Sequence, residues 1–365
     1  MNSLFFSKQP APLKKQIGFT LVELLVAMVL GIFLVGGVVS IYNSTQQNFR
    51  ANENLARIQE SARFAFEQLG REIRDQGNNP CGVKAVASVI RNSGALPWWA
   101  NWDGGTLVGY EGTTTFAGAT FGTALNQRVS GTDGLVVLRA RMEDSNLRVI
   151  ESHSAVTNSF VLKTVNTATD PGRVFLACDN NSGALFQVFA ATTSSPSNIQ
   201  YSATDQNCSD KLGLPQPANC SGTTAKVFNA GGFVAEYDPA FWYIGVGANN
   251  SKSLYRTTLI RQSSSLTTTE AREMVTNVHN LQIEYLTRNN TLAINPLATS
   301  WVKADDAIFT GPTTNGWTNA NTNEVVAVRL TLTFKSPDAI GSDGLPLQRQ
   351  TISVISLRNR ELKAS

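Results

Sequence analysis

The sequence predicts an α+β protein: one long N-terminal helix, hydrophobic and then amphipathic, packed on a globular domain of mostly antiparallel β-sheet. Three observations carry this reading. Residues Phe19 to Tyr42 form an apolar run broken only by Thr20, Glu23 and Ser40. Leu55, Ile58, Ala62, Phe66, Leu69 and Ile73 then recur at steps of 3, 4, 4, 3 and 4, which is one face of a helix. Beyond residue 80 the period changes to two, as in Val326, Val328, Leu330, Leu332 and Phe334.

The apolar run comes first. At about 1.5 Å per residue it spans roughly 36 Å, enough to cross a bilayer core. The basic tail Lys14-Lys15-Gln16-Ile17-Gly18 precedes it. Positive charge on that side keeps the N-terminus in the cytoplasm and exports the remainder. A secretory signal peptide would have a shorter apolar core and an A-x-A-like cleavage site, which Ser40-Ile41-Tyr42-Asn43 lacks. A plain membrane anchor satisfies the hydropathy but gives Glu23 no purpose. A carboxylate inside an apolar segment costs a few kcal/mol, so such groups usually mark function or a partner. The bland alternative has Glu23 near the end of the segment, reaching the headgroups.

The amphipathic pattern continues the same helix. Glu53, Arg57, Glu60, Arg63, Glu67, Arg71 and Glu72 are expected on faces other than the apolar stripe. No proline falls between Phe19 and Asp75, and Gly77-Asn78-Asn79-Pro80 supplies the stop. A helix over residues 19–75 would be some 85 Å long. Residues 19–42 form its transmembrane part and 43–76 its amphipathic part. Gly31 and Gly36-Gly37 are soft points, close-packing sites or ordinary membrane-helix glycines.

Residues 77–365 then read as a β-rich extracytoplasmic domain. The expected strands are Val83–Arg91, Gly134–Arg141, Phe160–Val165, Val174–Cys178, Leu185–Ala190, Phe241–Val246, Ser253–Ile260, Leu281–Thr287, Glu324–Phe334 and Thr351–Leu357. Thr192–Asn198, Ser263–Thr269 and Thr310–Asn323 are polar tracts expected as exposed loops. Thr268–Val275 is expected as a short helix leading into the strand at Leu281. No internal repeat is visible.

Composition sets the remaining limits. The 365 residues are 42% hydrophobic and 16% charged, which excludes a disordered chain and a multi-spanning membrane protein. The net charge of +3 comes from Lys8, Lys14 and Lys15, and the chain after Gly18 is balanced. That balance removes the electrostatic basis for nucleic-acid binding. Cys81, Cys178, Cys208 and Cys220 all follow the membrane segment and contain no CxxC pair. Disulfides are the expected use, and three connectivities are possible. Cys208–Cys220, closing a short loop through Pro215 and Pro217, with Cys81–Cys178, is the favoured one. The two histidines, His153 and His279, lie far apart in sequence and make a zinc site improbable.

Other chemical signals are weak. His153 in Glu151-Ser152-His153-Ser154 is expected in a surface loop. Asp179-Asn180-Asn181-Ser182-Gly183 is expected as a turn, since it lacks the spacing and terminal Glu of an EF-hand. Trp98, Trp99 and Trp102 beside Gly104-Gly105 are expected as partly buried loop anchors, with an aromatic ligand surface as the alternative. No phosphate loop, paired-carboxylate motif or nucleophile elbow is present. No catalytic residue, metal or cofactor is expected, and nothing supports an enzyme.

Gly18-Phe19-Thr20-Leu21-Val22-Glu23-Leu24, after a basic leader and before an apolar helix, resembles the processing site of type IV prepilins and type II secretion pseudopilins. The resemblance implies that residues 1–18 are a leader, cut between Gly18 and Phe19 by the prepilin peptidase. It also implies N-methylation of Phe19 and an assembly role for Glu23, paired with the terminal amine of a neighbouring subunit. Opposite charges about 4 Å apart attract by roughly 4 kcal/mol at an effective dielectric near 20, which offsets burial of the carboxylate.

Asp238-Pro239-Ala240-Phe241-Trp242-Tyr243-Ile244, Ser253-Leu254-Tyr255-Arg256 and Val278-His279-Asn280-Leu281-Gln282-Ile283-Glu284-Tyr285 resemble the PilW family of minor pilins. So do Val325-Val326-Ala327-Val328-Arg329-Leu330 and the ending Leu357-Arg358-Asn359-Arg360. This resemblance implies a low-abundance, tip-proximal subunit that helps initiate type IV pilus assembly, with links to adhesion and twitching motility. Its implied partners are other minor pilins and the major pilin, through the N-terminal helix, together with a large tip adhesin. The implied location is the inner membrane before assembly and the pilus surface afterwards. The retained Glu23 implies a neighbour above it in the filament. A minor pseudopilin of type II secretion, or a tip-located ligand-binding module, are the alternatives.

Overall fold

The structure is a computed structural model. It describes residues 18–91, 94–102, 104–141, 147–163, 171–192, 197–213, 220, 224–289, 300–309, 312–313, 316–317, 323–341 and 343–357. Lys8, Lys14, Lys15, Pro215, Pro217, most of the tract Thr310–Asn323 and Arg358-Asn359-Arg360 lie outside the described residues. The chain divides into two compact units, residues 1–53 and 54–365.

Helix α1 runs from Leu21 to Arg74. Its portion in the first unit presents apolar side chains to the outside all round, from Leu21 through Ile41. In the second unit it buries Ile58, Ala62, Ala65, Leu69 and Ile73, at steps of 4, 3, 4 and 4. Leu69 and Ile73 are fully buried, each worth about 1.5–3 kcal/mol of transfer free energy. Leu55 and Phe66, expected on this stripe, are only half-buried at its margins. Glu72 departs from expectation more sharply, being buried. The helix stops as the sequence requires: Gly77 takes φ +67°, and its N–H bonds Leu138 O at 2.8 Å. The Asn79 side chain then ties the turn, accepting from Cys81 and Val83 N–H and donating to Val83 O.

In chain order the early strands are β1 (Val86–Ser88), β2 (Leu107–Tyr110), β3 (Gly134–Val137), β4 (Leu147–Ser154), β5 (Ser159–Leu162) and β6 (Val174–Cys178). Next come β7 (Gly183–Gln187), β8 (Ala190–Thr192), β9 (Ser197–Gln200), β10 (Phe233–Glu236), β11 (Ala240–Val246) and β12 (Lys252–Arg261). The last are β13 (Thr267–Thr276), β14 (Val278–Asn289), β15 (Pro312–Thr313), β16 (Gly316–Trp317), β17 (Asn323–Lys335) and β18 (Gln348–Ser356). They form an eight-stranded sheet, β1-β7-β6-β10-β4-β5-β9-β8, and a five-stranded sheet, β13-β12-β11-β3-β2. A three-stranded sheet, β14-β17-β18, and the small β15-β16 pair complete the set. All pairings are antiparallel except β1 with β7.

Two cores result. The larger joins the buried stripe of α1 to β3, β11, β12, β14 and β17. All seven residues of β11 are buried, because it lies mid-sheet with both faces covered. On one face Phe241 and Tyr243 join an aromatic row with Tyr110, Phe116 and Tyr255. The other core lies in the eight-stranded sheet around Phe160, Phe186, Tyr201 and Phe228.

Several expectations are corrected. Thr268–Val275 is not a helix but most of β13, paired antiparallel with β12 from Thr267↔Arg261 to Thr276↔Ser253 with a bulge between Leu254 and Tyr255. Glu270, Ala271, Arg272 and Met274 favour helix locally, but the β-branched threonines and the ladder prevail. The tract Ser263–Thr269 is a loop only to Leu266, where Gln262 N–H closes on Leu266 O. Strands β2, β4, β8, β9 and β10 are not among the expected ones, nor are β15 and β16, which pair inside the tract Thr310–Asn323 expected as a loop. Most are short, and β4 and β9 lack clean apolar alternation, so neighbouring strands define them more than their own composition does.

Candidate assembly surface and charged anchor

The start of α1 is a reciprocal cap. Glu23 N–H donates to Thr20 Oγ1 at 3.3 Å, while Thr20 N–H and its hydroxyl both donate to Glu23 Oε2 at 3.1 Å. This is a capping box, with Thr20 as N-cap and Glu23 as the third helical residue. Glu23 also places negative charge in the first turn, where the helix dipole favours it. Gly18 has open space around it, and Phe19 is exposed. Gly18 and Phe19 thus lie just before the helix and Glu23 in its first turn, ahead of an exposed apolar stem. That stem is long and apolar enough to cross a membrane. An exposed apolar surface of this extent marks a lipid-facing or protein-facing segment.

A second feature lies where the last turn of α1 meets the five-stranded sheet. Glu72 accepts from Trp242 Nε1 at 2.6 Å, Arg256 Nε at 2.8 Å and Arg139 Nη2 at 3.0 Å. Asp238, between β10 and β11, accepts from Arg139 Nη2 at 2.6 Å and Arg256 Nη2 at 2.9 Å. Arg139 reaches Asp75 at 3.3 Å, and Arg141 reaches Asp238 at 3.6 Å. Three carboxylates thus meet three guanidinium groups. Burial works against ionisation of Asp238, but Arg256, Arg139 and Arg141 outweigh it and hold its pKa below the ordinary value. Burial likewise opposes the charge of Arg256, and Asp238 and Glu72 reverse the effect and raise its pKa. These groups line a cleft of about 690 Å³ together with Arg71 and Arg272. With each carboxylate held by arginine, the cluster is suited to anchoring the helix rather than to proton transfer.

A third cluster is short of positive charge at its carboxylates. Asp133 Oδ2 accepts from Ile283 N–H at 2.8 Å, and Glu111 Oε1 accepts from Ala304 N–H at 2.9 Å. Arg128, fully buried, gives its hydrogen bonds to the carbonyls of Tyr110, Glu111, Thr114 and Thr132 instead. Burial, and then the Glu111 carboxylate, push Asp133 up to about 7.

The other candidate residues fall into structural roles. Cys81 is joined to Cys178 and Cys208 to Cys220, with Cα separations of 5.9 and 5.7 Å. His153, expected in a surface loop, is instead a buried residue of β4. Its Nδ1 accepts from Phe228 N–H at 3.1 Å, and its Nε2 lies 2.9 Å from the Tyr201 hydroxyl. The aromatic wall of Phe160, Phe228 and Tyr201 draws it inside. Burial, with Lys226 second, lowers its pKa to about 4, so the ring is neutral. Asp179 makes a turn between β6 and β7, accepting from Asn181 and Ser182 N–H, and Lys226 Nζ sits 2.7 Å from its other oxygen. Trp99 and Trp102 are buried, and Trp98 packs edge-on against Phe116 and Phe241. The tryptophans are loop anchors.

The sequence reading missed Glu72, Arg139, Asp238 and Arg256 as one unit. The available signal was Glu72 itself, an acid adjoining Ile73 of the apolar stripe and therefore near the sheet.

Comparison with known families agrees with this division of the chain. The prokaryotic N-terminal methylation motif matches residues 13–39, covering Gly18, Phe19, Glu23 and most of the apolar stem. The type IV pilus-assembly protein W (PilW) family matches residues 241–356, from β11 to the end of β18. The eight-stranded sheet lies outside both matches. No curated protein and no solved structure matches the chain. The chain is thus similar to the methylation-motif family over the start of its long helix and to the PilW pilus-assembly family over its last strands.

Proposed function

We propose that this protein is a minor pilin that takes part in the initiation and assembly of type IV pili as a low-abundance, tip-proximal subunit. Prepilin peptidase cuts between Gly18 and Phe19, the new terminal amine of Phe19 is methylated, and the apolar part of α1 passes from the inner membrane into the filament core. Glu23 then meets the terminal amine of an adjacent subunit. The observation that carries this reading is the presence of both family matches in one chain, the first lying on a helix whose first half is exposed and apolar. The remaining pilins are the partners of that surface. Retention of Glu23 argues for a subunit above this one, so the chain stands below the apex. A large head supports a tip-proximal place, since a few terminal subunits can carry bulk that a repeating shaft layer cannot.

Mass spectrometry of the N-terminal peptide, from membranes and from sheared surface filaments, tests the proposal. The expected peptide begins at N-methylated Phe19 and occurs in the sheared fraction. An intact leader, or cleavage beyond Tyr42, would overturn it. A processed chain that is absent from pili and co-purifies with a secretion apparatus would assign it to type II secretion instead.

A further inference from the structure

The sheets in this protein treat their edges unequally. An open edge is a row of unpaired N–H and C=O groups, which proteins normally shorten, charge or cover. Strands β1 and β8 are three residues long. Strand β13 carries Glu270, Arg272 and Glu273 along its length. The free side of β14 is covered: Tyr285 and Val302 exchange backbone hydrogen bonds of 2.8 and 3.0 Å. Asp133 N–H bonds Leu281 O, and its carboxylate takes Ile283 N–H.

Strand β18 is neither short nor covered among the described residues, and it carries a single charge. It is nine residues long and reads Gln348-Arg349-Gln350-Thr351-Ile352-Ser353-Val354-Ile355-Ser356, with no proline and no acid. Its pairing to β17 is regular from Ala327↔Ser356 to Lys335↔Gln348. Leu357 N–H bonds Val326 O, so by ladder alternation the odd residues bond inward. The backbone groups of Gln350, Ile352 and Val354 therefore point away from the sheet. The side chains of Ile352 and Val354 are 60% and 56% exposed.

We propose that β18 accepts an added strand from another pilus subunit: an extended segment with aliphatic side chains at alternate positions and an acid facing Arg349. The chemistry of the edge selects that occupant. Ile352 and Val354 present an apolar row with outward hydrogen-bonding groups, which is the recognition surface for strand addition. On β17 opposite Val354, Arg329 is already neutralised by Glu284 at 2.7 Å and lies over the Trp301 ring at 4.8 Å. That row calls for no charge. Arg349, the strand's single charge, has no acidic partner among the described residues. The pilus reading enters only as the source of the donor.

The test uses the full-length chain in piliated cells, with a photoreactive phenylalanine analogue placed at Ile352 and, separately, at Val354. The expected result is a cross-link to one segment of another pilus subunit, moving by two residues along it when the probe moves from Ile352 to Val354. Ile352→Pro removes an outward N–H only, a change an edge strand tolerates. It is expected to abolish the cross-link from Val354 while leaving the melting temperature unchanged. Should proline perturb the fold, Ile352→Lys carries the same expectation. Cross-links to a second copy, to lipid or to this chain itself, or an unshifted contact, would overturn the proposal. The N-terminal peptide in the same sample separates the two readings: a chain beginning at Phe19 in filaments without the cross-link rejects strand addition alone.

Discussion

Trp242 donates its indole N–H to Glu72 at 2.6 Å, across 170 residues of sequence, and so fixes the last turn of the long helix to the central strand of the five-stranded sheet. Both side chains are buried, and the carboxylate is shared with Arg139 and Arg256. Glu72→Ala leaves two half-buried guanidinium groups short of a counter-charge and one buried indole N–H unpaired. Breaking a buried pair of this kind costs about 3–5 kcal/mol. Glu72→Gln retains an acceptor for Trp242, so it is expected to lose less. Denaturant unfolding of the detergent-solubilised chain checks the order: wild type, then Gln, then Ala. Equal stability of all three would show that the cluster contributes nothing to the anchor.

The disulfides predict a second order. Cys81–Cys178 spans 97 residues and Cys208–Cys220 spans 12. In the chain-entropy account, closing the longer loop contributes about 4–5 kcal/mol and the shorter about 3. Cys81→Ala/Cys178→Ala should therefore destabilise more than Cys208→Ala/Cys220→Ala. The longer link also ties the turn after the helix to β6, which places Cys178 in the same core as Leu69. Unfolding midpoints of the two double variants, with thiols quantified, measure the difference. A reversed order would mean that packing around Cys208 outweighs loop closure.

Two buried groups give opposite pH slopes. Asp133 has a folded pKa of about 7, above its unfolded value, so its contribution is fully present below the unfolded pKa and is lost as pH rises through 7. His153 has a folded pKa of about 4, below its unfolded 6.5, so its contribution is present above 6.5 and is lost as pH falls towards 4. Asp133→Asn keeps an oxygen for Ile283 N–H but removes the charge. Relative to wild type, it should gain stability as pH rises from 4 to 8. His153→Gln should gain stability relative to wild type as pH falls from 7 to 4. Melting temperatures over that range test both, and parallel curves would contradict the assignments.

The helix and the stronger strands were legible because their periodicity is a property of the chain alone. The run through Leu330, Leu332 and Phe334 is a strand in any context, and Gly77 ends the helix by its own backbone freedom. What was not legible depends on partners distant in sequence. Glu72 looked like a surface acid because Arg139, Arg256 and Trp242 reach it from 67 to 184 residues away. His153 looked like a loop residue because Tyr201 and Phe228, which enclose it, lie 48 and 75 positions on. Strand β13 looked helical because its ladder with β12 is not visible in Glu270-Ala271-Arg272-Glu273. Local chemistry at Gly18, Phe19 and Glu23 needed no such partner, which is why the motif could be read at once.

Thr20 and Glu23 separate two roles that a single substitution would confuse. Under the proposed function Glu23 pairs with the terminal amine of a neighbouring subunit, while within the chain it caps its own helix through Thr20. Glu23→Val removes both the cap and the pairing charge. Thr20→Val removes the hydroxyl of the cap and leaves the carboxylate. Loss of an N-cap typically costs about 1 kcal/mol, too little to prevent a long apolar helix from forming in lipid. Both variants are thus expected to insert and to be cleaved at Gly18. Thr20→Val should enter sheared filaments at near the wild-type level, whereas Glu23→Val should be largely retained in the membrane fraction. Quantitative immunoblots of the two fractions read the result. Equal retention of both variants would assign the defect to the cap, and normal incorporation of Glu23→Val would remove the assembly role of the carboxylate.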